Sequence, residues 1–192
     1  RQRVIKQIKR IIRHAYDFKG YVEFSNHIEQ VMNKKILKTD DDDTIQRKQA
    51  RALNKEFSNR MLVIDEVHNL RVTDKGKVKP SSNNILNLAT YSDNLKILIL
   101  SATPMFNSYL EIIWLTNLLN ANDKRYIIRE NEIFDNNGNF VQDDTGNEIG
   151  KELLIQKITG YVSYVRGNNP FSFPYSIYPK ESNSEHSLLQ LM

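Results

Sequence analysis

The chain has 192 residues, a length typical of one domain or of part of a larger one. Its residues are 40% hydrophobic and 26% charged, as in globular proteins that bury a core. No apolar stretch approaches the ~18 residues of a membrane-spanning helix, and the absence of cysteine excludes disulfides and thiolate metal sites. The net charge of +4 permits a polyanionic partner without requiring one.

Residues 1–16 have an amphipathic pattern. Apolar residues recur at helical spacing and basic residues occupy most other positions, which predicts a helix with a basic outer face. Two interpretations of that face stay open: a solvated surface on a helix that packs against the core, or a contact with nucleic-acid phosphates. The apolar positions are Val4, Ile5, Ile8, Ile11, Ile12 and Ala15.

Three further segments precede the first strongly apolar run. Aromatic and apolar residues alternate around Gly20 in residues 16–24, which predicts a strand or an extended segment. Residues 25–37 are expected to form a helix. The four aspartates at 40–43 indicate a solvated loop, because they lack the spaced ligands and the glycine of a calcium loop.

Two short apolar runs, 61–64 and 95–100, are typical of parallel strands that are buried on both faces. Between them, Ser81 or Ser82 is expected to cap a helix that continues to about Tyr91.

The remaining pattern supports an α/β architecture. Strands that alternate with helices favour a domain built on a parallel sheet. After the second apolar run we expect a buried helix at 106–120, a hairpin at 134–148, a short helix at 151–159 ended by Gly160, and a strand at 161–167.

Both apolar runs end in polar residues: Asp65-Glu66 after the first, and Ser101-Ala102-Thr103 after the second. Ligands of parallel sheets bind at the carboxyl ends of the strands. One carboxylate there can hold Mg²⁺, often through water, and its neighbour can activate a water molecule as a general base. For an isolated D-E-x-H string, an Asp-Glu pair that caps a strand-to-loop turn is the favoured explanation.

The combination of motifs resembles a known family. D-E-V-H at 65–68 and S-A-T-P at 101–104 resemble, in order and spacing, motifs II and III of the DExH-box helicases of superfamily 2. The run SATPMFNSYLEIIWLTNLLN (101–120) resembles the Swi/Snf-like branch. The chain resembles still more closely the transcription-factor-type helicases of nucleocytoplasmic large DNA viruses, the poxviruses and giant viruses, and the resemblance includes residues 16–24 and 160–180.

The resemblance implies a fold and a role for each motif residue. It implies a RecA-like, P-loop NTPase-type parallel sheet flanked by helices, with residues 1–170 as the latter part of a first helicase domain and 171–192 as a connector to a second. Asp65 would hold Mg²⁺ through water, and Glu66 would activate water for the hydrolysis of the bound ATP. His68 would link this site to motif III. The coupling residues of motif III would be Ser101, Ala102 and Thr103.

Two motifs of the family are missing. No segment matches the phosphate-binding loop G-x-x-x-x-G-K-[ST], and no arginine-rich motif VI is present. Truncation explains both gaps, and a degenerate paralogue that does not hydrolyse ATP is the alternative. We therefore expect that this chain alone does not turn over ATP and that the complete protein does.

The function expected from the resemblance is that of an ATP-dependent DNA helicase or translocase, viral and linked to transcription. The expected partners are DNA, a second RecA-like domain and the viral transcription machinery, with no membrane, and the location is intracellular, in the host cytoplasm or the virion. Two alternatives stay open: a non-catalytic nucleic-acid-binding or scaffolding segment, and an ATPase that remodels protein–DNA complexes without separating strands.

Other candidate residues favour structural roles. The histidines at 14, 27 and 186 lack a ligand-spaced partner. Trp114 is expected to pack in the core, and an ion pair is at least as good an explanation of Arg166 as a phosphate contact.

Overall fold

The computed structural model describes residues 2–70, 80–105 and 108–164. The chain divides into two units, Arg1–Gly160 and Tyr161–Met192, and every helix and strand of the described residues lies in the first. In chain order these elements are α1 (Gln2–Ala15), α2 (Tyr21–Asn33), α3 (Asp42–Phe57), β1 (Met61–Ile64), a 3₁₀ helix (Val67–Leu70), α4 (Pro80–Tyr91), β2 (Lys96–Ile99), α5 (Leu110–Asn122), α6 (Glu130–Ile133) and α7 (Ile149–Ile158).

The two predicted apolar runs form a parallel pair of strands. Met61 of β1 lies opposite Lys96 of β2, and Ile64 lies opposite Ile99. The connection between them contains α4, as a parallel crossover requires. The prediction of an α/β domain with parallel strands is therefore confirmed for the described residues.

The main core lies between the sheet and helices α2, α3, α4 and α5. Helix α4 packs against α2, α3 and α5, and α2 also packs against α3. Each helix contributes a side chain that is fully enclosed: Ile28, Leu53, Leu88 and Leu118 have no exposed surface. A second apolar cluster joins α5 to the segment that follows it, and its buried members are Ile113, Ile128, Ile133 and Phe134.

One side of the sheet is less covered than the prediction of fully buried strands requires. Ile64 is buried, whereas Met61, Val63 and Leu98 are exposed. Because successive side chains of a strand point to opposite faces, the exposed residues of β1 share one face.

Helix α1 forms as predicted, but it does not pack against the core. None of its residues is buried, and Ile11 retains 68% of its surface. The interpretation of α1 as a core-packing helix is therefore wrong for the described residues. Among the described helices, none combines the length and apolar character that a membrane-spanning segment needs.

The prediction of a strand or an extended segment at 16–24 is wrong for residues 21–24, which are helical, and residues 16–20 form no strand. Gly20 has extended backbone angles and precedes the first turn of α2, so the helix begins at Tyr21. The alternation around Gly20 did not determine the structure of residues 21–24. These residues belong to a helix whose later residues Ile28 and Met32, four positions apart, are buried.

The loop predicted for the aspartates at 40–43 holds only for Asp40 and Asp41, because Asp42 and Asp43 begin α3. The carboxylate of Asp41 accepts the N–H of Thr44 at 2.8 Å, which caps α3, and Asp42 and Asp43 occupy its first turn, where negative charge complements the helix dipole. Asp40 accepts the N–H of Leu37 and pairs with Lys48 at 2.7 Å, and both contacts lower the pKa of that carboxyl.

Elements nearer the C-terminus follow the prediction in part. Helix α4 ends at Tyr91 as expected, but Ser82 donates to the carbonyl of Leu70 at 2.6 Å instead of capping the helix. The hairpin reduces to one antiparallel bridge between Phe134 and Phe140. Residues 161–164 form no strand, and the remainder of the predicted strand at 161–167 lies outside the described residues.

Candidate active site

The two strand ends are held side by side. The N–H of Leu100 donates to the carbonyl of Ile64 at 2.8 Å, and the N–H of Val67 donates to the carbonyl of Leu100 at 3.1 Å. The parallel pairing therefore continues past β1 and β2. As a result, the turn that carries Asp65 and Glu66 lies next to the segment that begins at Ser101.

A sharp turn separates β1 from the 3₁₀ helix. Glu66 has a φ of +51°, in the left-handed region that non-glycine residues rarely occupy and that is over-represented at functional sites. The N–H of Glu66 donates to the carboxylate of Asp65 at 3.0 Å, and the carbonyl of Glu66 accepts the N–H of Asn69 at 3.0 Å. Both carboxylates remain exposed, with 54% of the Glu66 side chain accessible.

His68 joins the two strand ends. Its Nδ1 lies 3.2 Å from the carboxylate of Glu66, 3.3 Å from the hydroxyl of Ser101 and 3.4 Å from the hydroxyl of Thr103. The hydroxyl of Ser101 also accepts the N–H of Thr103 at 3.1 Å. The structure thus brings together Glu66, His68, Ser101 and Thr103 from the two motifs.

The nearest neighbour of Nδ1 favours one tautomer of His68. An ionised carboxylate only accepts hydrogen bonds, whereas a hydroxyl can donate or accept. Because the Glu66 carboxylate can only accept and both hydroxyls can also accept, the proton is best placed on Nδ1. The Nδ1–H of the imidazole then donates to the Glu66 carboxylate, and the hydroxyls of Ser101 and Thr103 lie beside the same nitrogen.

The oxygen atoms at this site fit one kind of cation better than others. Asp65 is a single exposed carboxylate, and the described residues contain no group of three or more histidine, aspartate or glutamate side chains that could hold a metal. A fully protein-ligated ion would need such a group. Mg²⁺ fits, because it binds through one or two carboxylates and completes its shell with water and substrate phosphates.

A small cavity lies against His68 and α5, with room for about one water molecule. Trp114 lines it and is 8% exposed, which confirms the interpretation of this residue as a packing residue. Ala102 and Pro104 are exposed. The other residues that line the cavity are Val67, Leu70, Pro104, Glu111 and Leu115.

The remaining histidine and arginine candidates lie away from this site or cannot be placed. His27 of α2 packs edge-on against the ring of Phe57, with the ring centres 5.7 Å apart. His14 is exposed near the end of α1. His186 and Arg166 lie outside the described residues.

Sequence reasoning missed one residue of this site. The hydroxyl of Tyr21 donates to the carbonyl of Asp65 and lies 3.1 Å from the carbonyl of Glu66. Tyr21 stands 44 positions before Asp65, at the start of α2. The only available signal is the aromatic pattern of residues 16–24, which predicts a strand or an extended segment.

Comparison with known proteins adds a family context. The chain is 32% identical over 117 residues to "Putative ATP-dependent RNA helicase L377" of Acanthamoeba polyphaga mimivirus, over 61% of this chain and 9% of that protein. It is 32% identical over 125 residues to "Putative ATP-dependent RNA helicase R563" of the same virus, over 62% of this chain and 21% of that protein. The chain is similar to viral proteins named as helicases.

A further viral helicase agrees with these two. A "Putative ATP-dependent RNA helicase" of Heliothis virescens ascovirus 3e is 32% identical over 124 residues, 64% of this chain and 13% of that protein. The chain matches only a small part of each of these relatives. No family model matches the chain, and no solved structure matches it.

Proposed function

We propose that this chain is part of the first RecA-like domain of a viral ATP-dependent helicase or translocase, the part that carries motifs II and III. The observation that carries the proposal is the His68 cluster, in which one imidazole contacts Glu66 on the first strand end and Ser101 and Thr103 on the second. The viral relatives named as helicases support it independently.

The proposed ligand is ATP with Mg²⁺. When bound, ATP·Mg²⁺ supplies the phosphoanhydride bond and neutralises phosphate charge. Asp65 would hold the metal through water, because its exposed carboxylate is one of the few oxygen ligands that Mg²⁺ requires from a protein.

Glu66 is proposed as the general base. Its carboxylate is exposed on the same turn as Asp65, so it can accept a proton from a water molecule beside the bound phosphates. The Nδ1–H of His68, 3.2 Å away, orients one carboxylate oxygen and leaves the other to accept the proton.

Ser101 and Thr103 are proposed to transmit the state of this site to the nucleic acid and to a second RecA-like domain. Ala102 lies between them and needs only to be small. The finer proposal follows the resemblance: a Swi/Snf-like motor that acts on DNA in viral transcription, with residues 1–170 in the motor domain and 171–192 as the connector. The relatives' names specify RNA, so the test includes both nucleic acids.

The decisive experiment measures phosphate release by the complete protein with DNA, with RNA and with neither. Glu66→Gln keeps the shape of the side chain and removes the base, so we expect hydrolysis to fall ~10²–10⁴-fold. Nucleotide binding should be largely retained. The matched control is Glu56→Gln on α3, whose carboxylate is 3.7 Å from Arg60 on the protein surface.

Two outcomes would contradict the proposal in different ways. Normal hydrolysis by Glu66→Gln would show that another residue activates water. Nucleic-acid binding by a complete protein that hydrolyses no ATP would favour the non-catalytic scaffold that the missing phosphate loop also allows.

A further inference from the structure

The hydroxyl of Tyr21 contacts the backbone of the turn that carries Asp65 and Glu66. It donates to the carbonyl oxygen of Asp65 and lies 3.1 Å from that of Glu66. Among the hydrogen bonds of the described residues, Tyr21 is the only side chain from outside this turn that reaches the backbone carbonyls of these two residues.

We propose that Tyr21 is a positioning residue that holds the turn at Glu66 in its left-handed conformation and thereby aims the Glu66 carboxylate. This inference rests on the proposed function for its catalytic consequence. Its geometric part concerns only the turn itself.

The turn needs support because its conformation is unfavourable for a glutamate. Glu66 has a φ of +51°, where the side chain of a non-glycine residue crowds its own backbone. Such a conformation persists only when neighbouring contacts hold it in place. The contacts already described restrain the far side of the turn, through the amides of Val67 and Asn69. Tyr21 restrains the near side, through the carbonyls.

Tyr21 is well placed for this role because its own position is fixed by the core. It is the first residue of α2, and its ring packs against the main apolar cluster. Helix α2 in turn packs against α3 and α4. The hydroxyl is therefore carried by a rigid element rather than by the loop that it supports, as precise positioning of a site requires.

The simpler explanation is that Tyr21 contributes only packing through its ring. Tyr21→Phe separates the two explanations, because it removes the hydroxyl and keeps the ring. The matched control is Tyr91→Phe, which removes a hydroxyl that accepts from Gln46 at 3.1 Å while its ring packs against the same cluster.

The kinetic test uses the complete protein. If the hydroxyl aims the Glu66 carboxylate, Tyr21→Phe should lower kcat on the order of five- to tenfold, as expected for one hydrogen bond, with little change in KM for ATP. Tyr91→Phe should leave both constants unchanged. In a Glu66→Gln background, Tyr21→Phe should cause no further loss, because the group that it positions is already absent. Equal kcat in Tyr21→Phe and wild type, or a further loss in the Glu66→Gln background, would overturn the inference.

A second measurement keeps this inference distinct from the proposed function. Hydrogen exchange followed by mass spectrometry reports on the peptide that covers residues 61–70, whether or not the protein hydrolyses ATP. Faster exchange of this peptide in Tyr21→Phe, but not in Tyr91→Phe, would show that the Tyr21 hydroxyl holds the turn in place. Unchanged exchange in both variants would overturn it. A wild-type protein without ATPase activity would contradict only the proposed function.

Discussion

The Nδ1 atom of His68 lies 3.3 Å from the hydroxyl oxygen of Ser101, and this contact joins the ends of two parallel strands. The same nitrogen lies 3.2 Å from the carboxylate of Glu66. A change in the position of Glu66 during hydrolysis would therefore reach the segment after β2 through one imidazole ring. Communication between the two motifs through this ring is therefore a prediction that can be tested.

The double variant Ser101→Ala/Thr103→Ala tests this communication in the complete protein. It removes both hydroxyls near His68 but leaves Asp65 and Glu66 intact, so we expect much of the ATPase activity to remain while strand separation or translocation is lost. The measurement is ATP consumed per base pair opened or travelled. A matched control is Ser58→Ala/Thr90→Ala, whose hydroxyls bond backbone groups elsewhere.

The competing explanation is that these hydroxyls only stabilise a turn. The hydroxyl of Ser101 does accept the N–H of Thr103. At the start of α5, however, the N–H of Leu110 donates to the hydroxyl of Ser108 at 3.2 Å, so Ser101 and Thr103 do not cap this helix. A purely local role predicts a lower melting temperature with both activities reduced together. An unchanged amount of ATP consumed per base pair, together with a lower melting temperature, would decide for that explanation.

Asp65→Asn should weaken nucleotide binding in a way that depends on Mg²⁺. The amide keeps the shape of the carboxylate but loses the negative charge that attracts the cation. We expect the complete variant protein to need a higher Mg²⁺ concentration for half-maximal ATP binding. Asp17→Asn, which alters a surface carboxylate beside Lys19, should not shift that concentration. If both variants gave the wild-type Mg²⁺ dependence, Asp65 would not be the metal ligand.

Gly150→Ala should destabilise the protein. A Cβ at this position would lie 2.2 Å from the carbonyl oxygen of Ile133, which is backbone and cannot rotate away. The N–H of Gly150 is also bonded to Val141 at 3.0 Å, so relief of the clash would disturb that bond. We expect a loss of about 1–3 kcal/mol in the free energy of unfolding, measured by chemical denaturation.

Gly20→Ala is the control for that substitution. A Cβ at Gly20 would meet nothing within 4 Å, and the residue precedes α2 with extended angles that alanine also adopts. We expect it to lower the free energy of unfolding only because alanine is a poorer helix N-cap than glycine, by a few tenths of a kcal/mol to about 1 kcal/mol. Equal destabilisation by both variants would mean that the region around Gly150 relaxes easily.

Asp143 should make stability depend on pH in the acid range. Hydrogen bonds from the side chains of Thr145 and Asn147, and from the backbone N–H of Asn147, lower the pKa of this carboxyl strongly. Because the folded-state pKa lies below the unfolded value of about 3.9, the charged carboxylate favours the folded state. This contribution is complete above about pH 5, where the carboxyl is ionised in both states, and is lost as the pH falls towards the folded-state pKa.

The measurement is the melting temperature between neutral pH and about pH 3, in the range where an ordinary aspartate titrates. Asp143→Asn should lower the melting temperature at neutral pH and reduce its fall on acidification. The neighbouring Asp144→Asn is the control, because no hydrogen bond to its carboxylate is found within the described residues. Identical pH profiles for Asp143→Asn and wild type would show that the loop at 143–147 does not contribute to acid sensitivity.

Local patterns in the sequence determined the elements that carry the site. The continuous apolar runs predicted β1 and β2, and the end of α4 at Tyr91 also agreed. Because parallel strands align their carboxyl ends, the sequence alone predicted that Asp65-Glu66 and Ser101–Thr103 would be neighbours. The catalytic and coupling roles assigned to these residues stay predictions. Where two structures compete for one local pattern, the prediction was wrong in part: residues 21–24 begin a helix, and Asp41 caps another.

Tertiary structure alone decided how the strand-end turn is held. The contact of Tyr21 with Asp65 spans 44 positions, and no periodicity in either segment encodes it. The left-handed conformation of Glu66 likewise has no signal in a sequence that places glutamate, not glycine, at that position. The exposed apolar face of α1 is a second example. Its amphipathic pattern predicted a helix correctly but could not specify the surface against which that face packs. Periodicity arises from neighbours along the chain, whereas these contacts depend on how α2, β1 and β2 pack together.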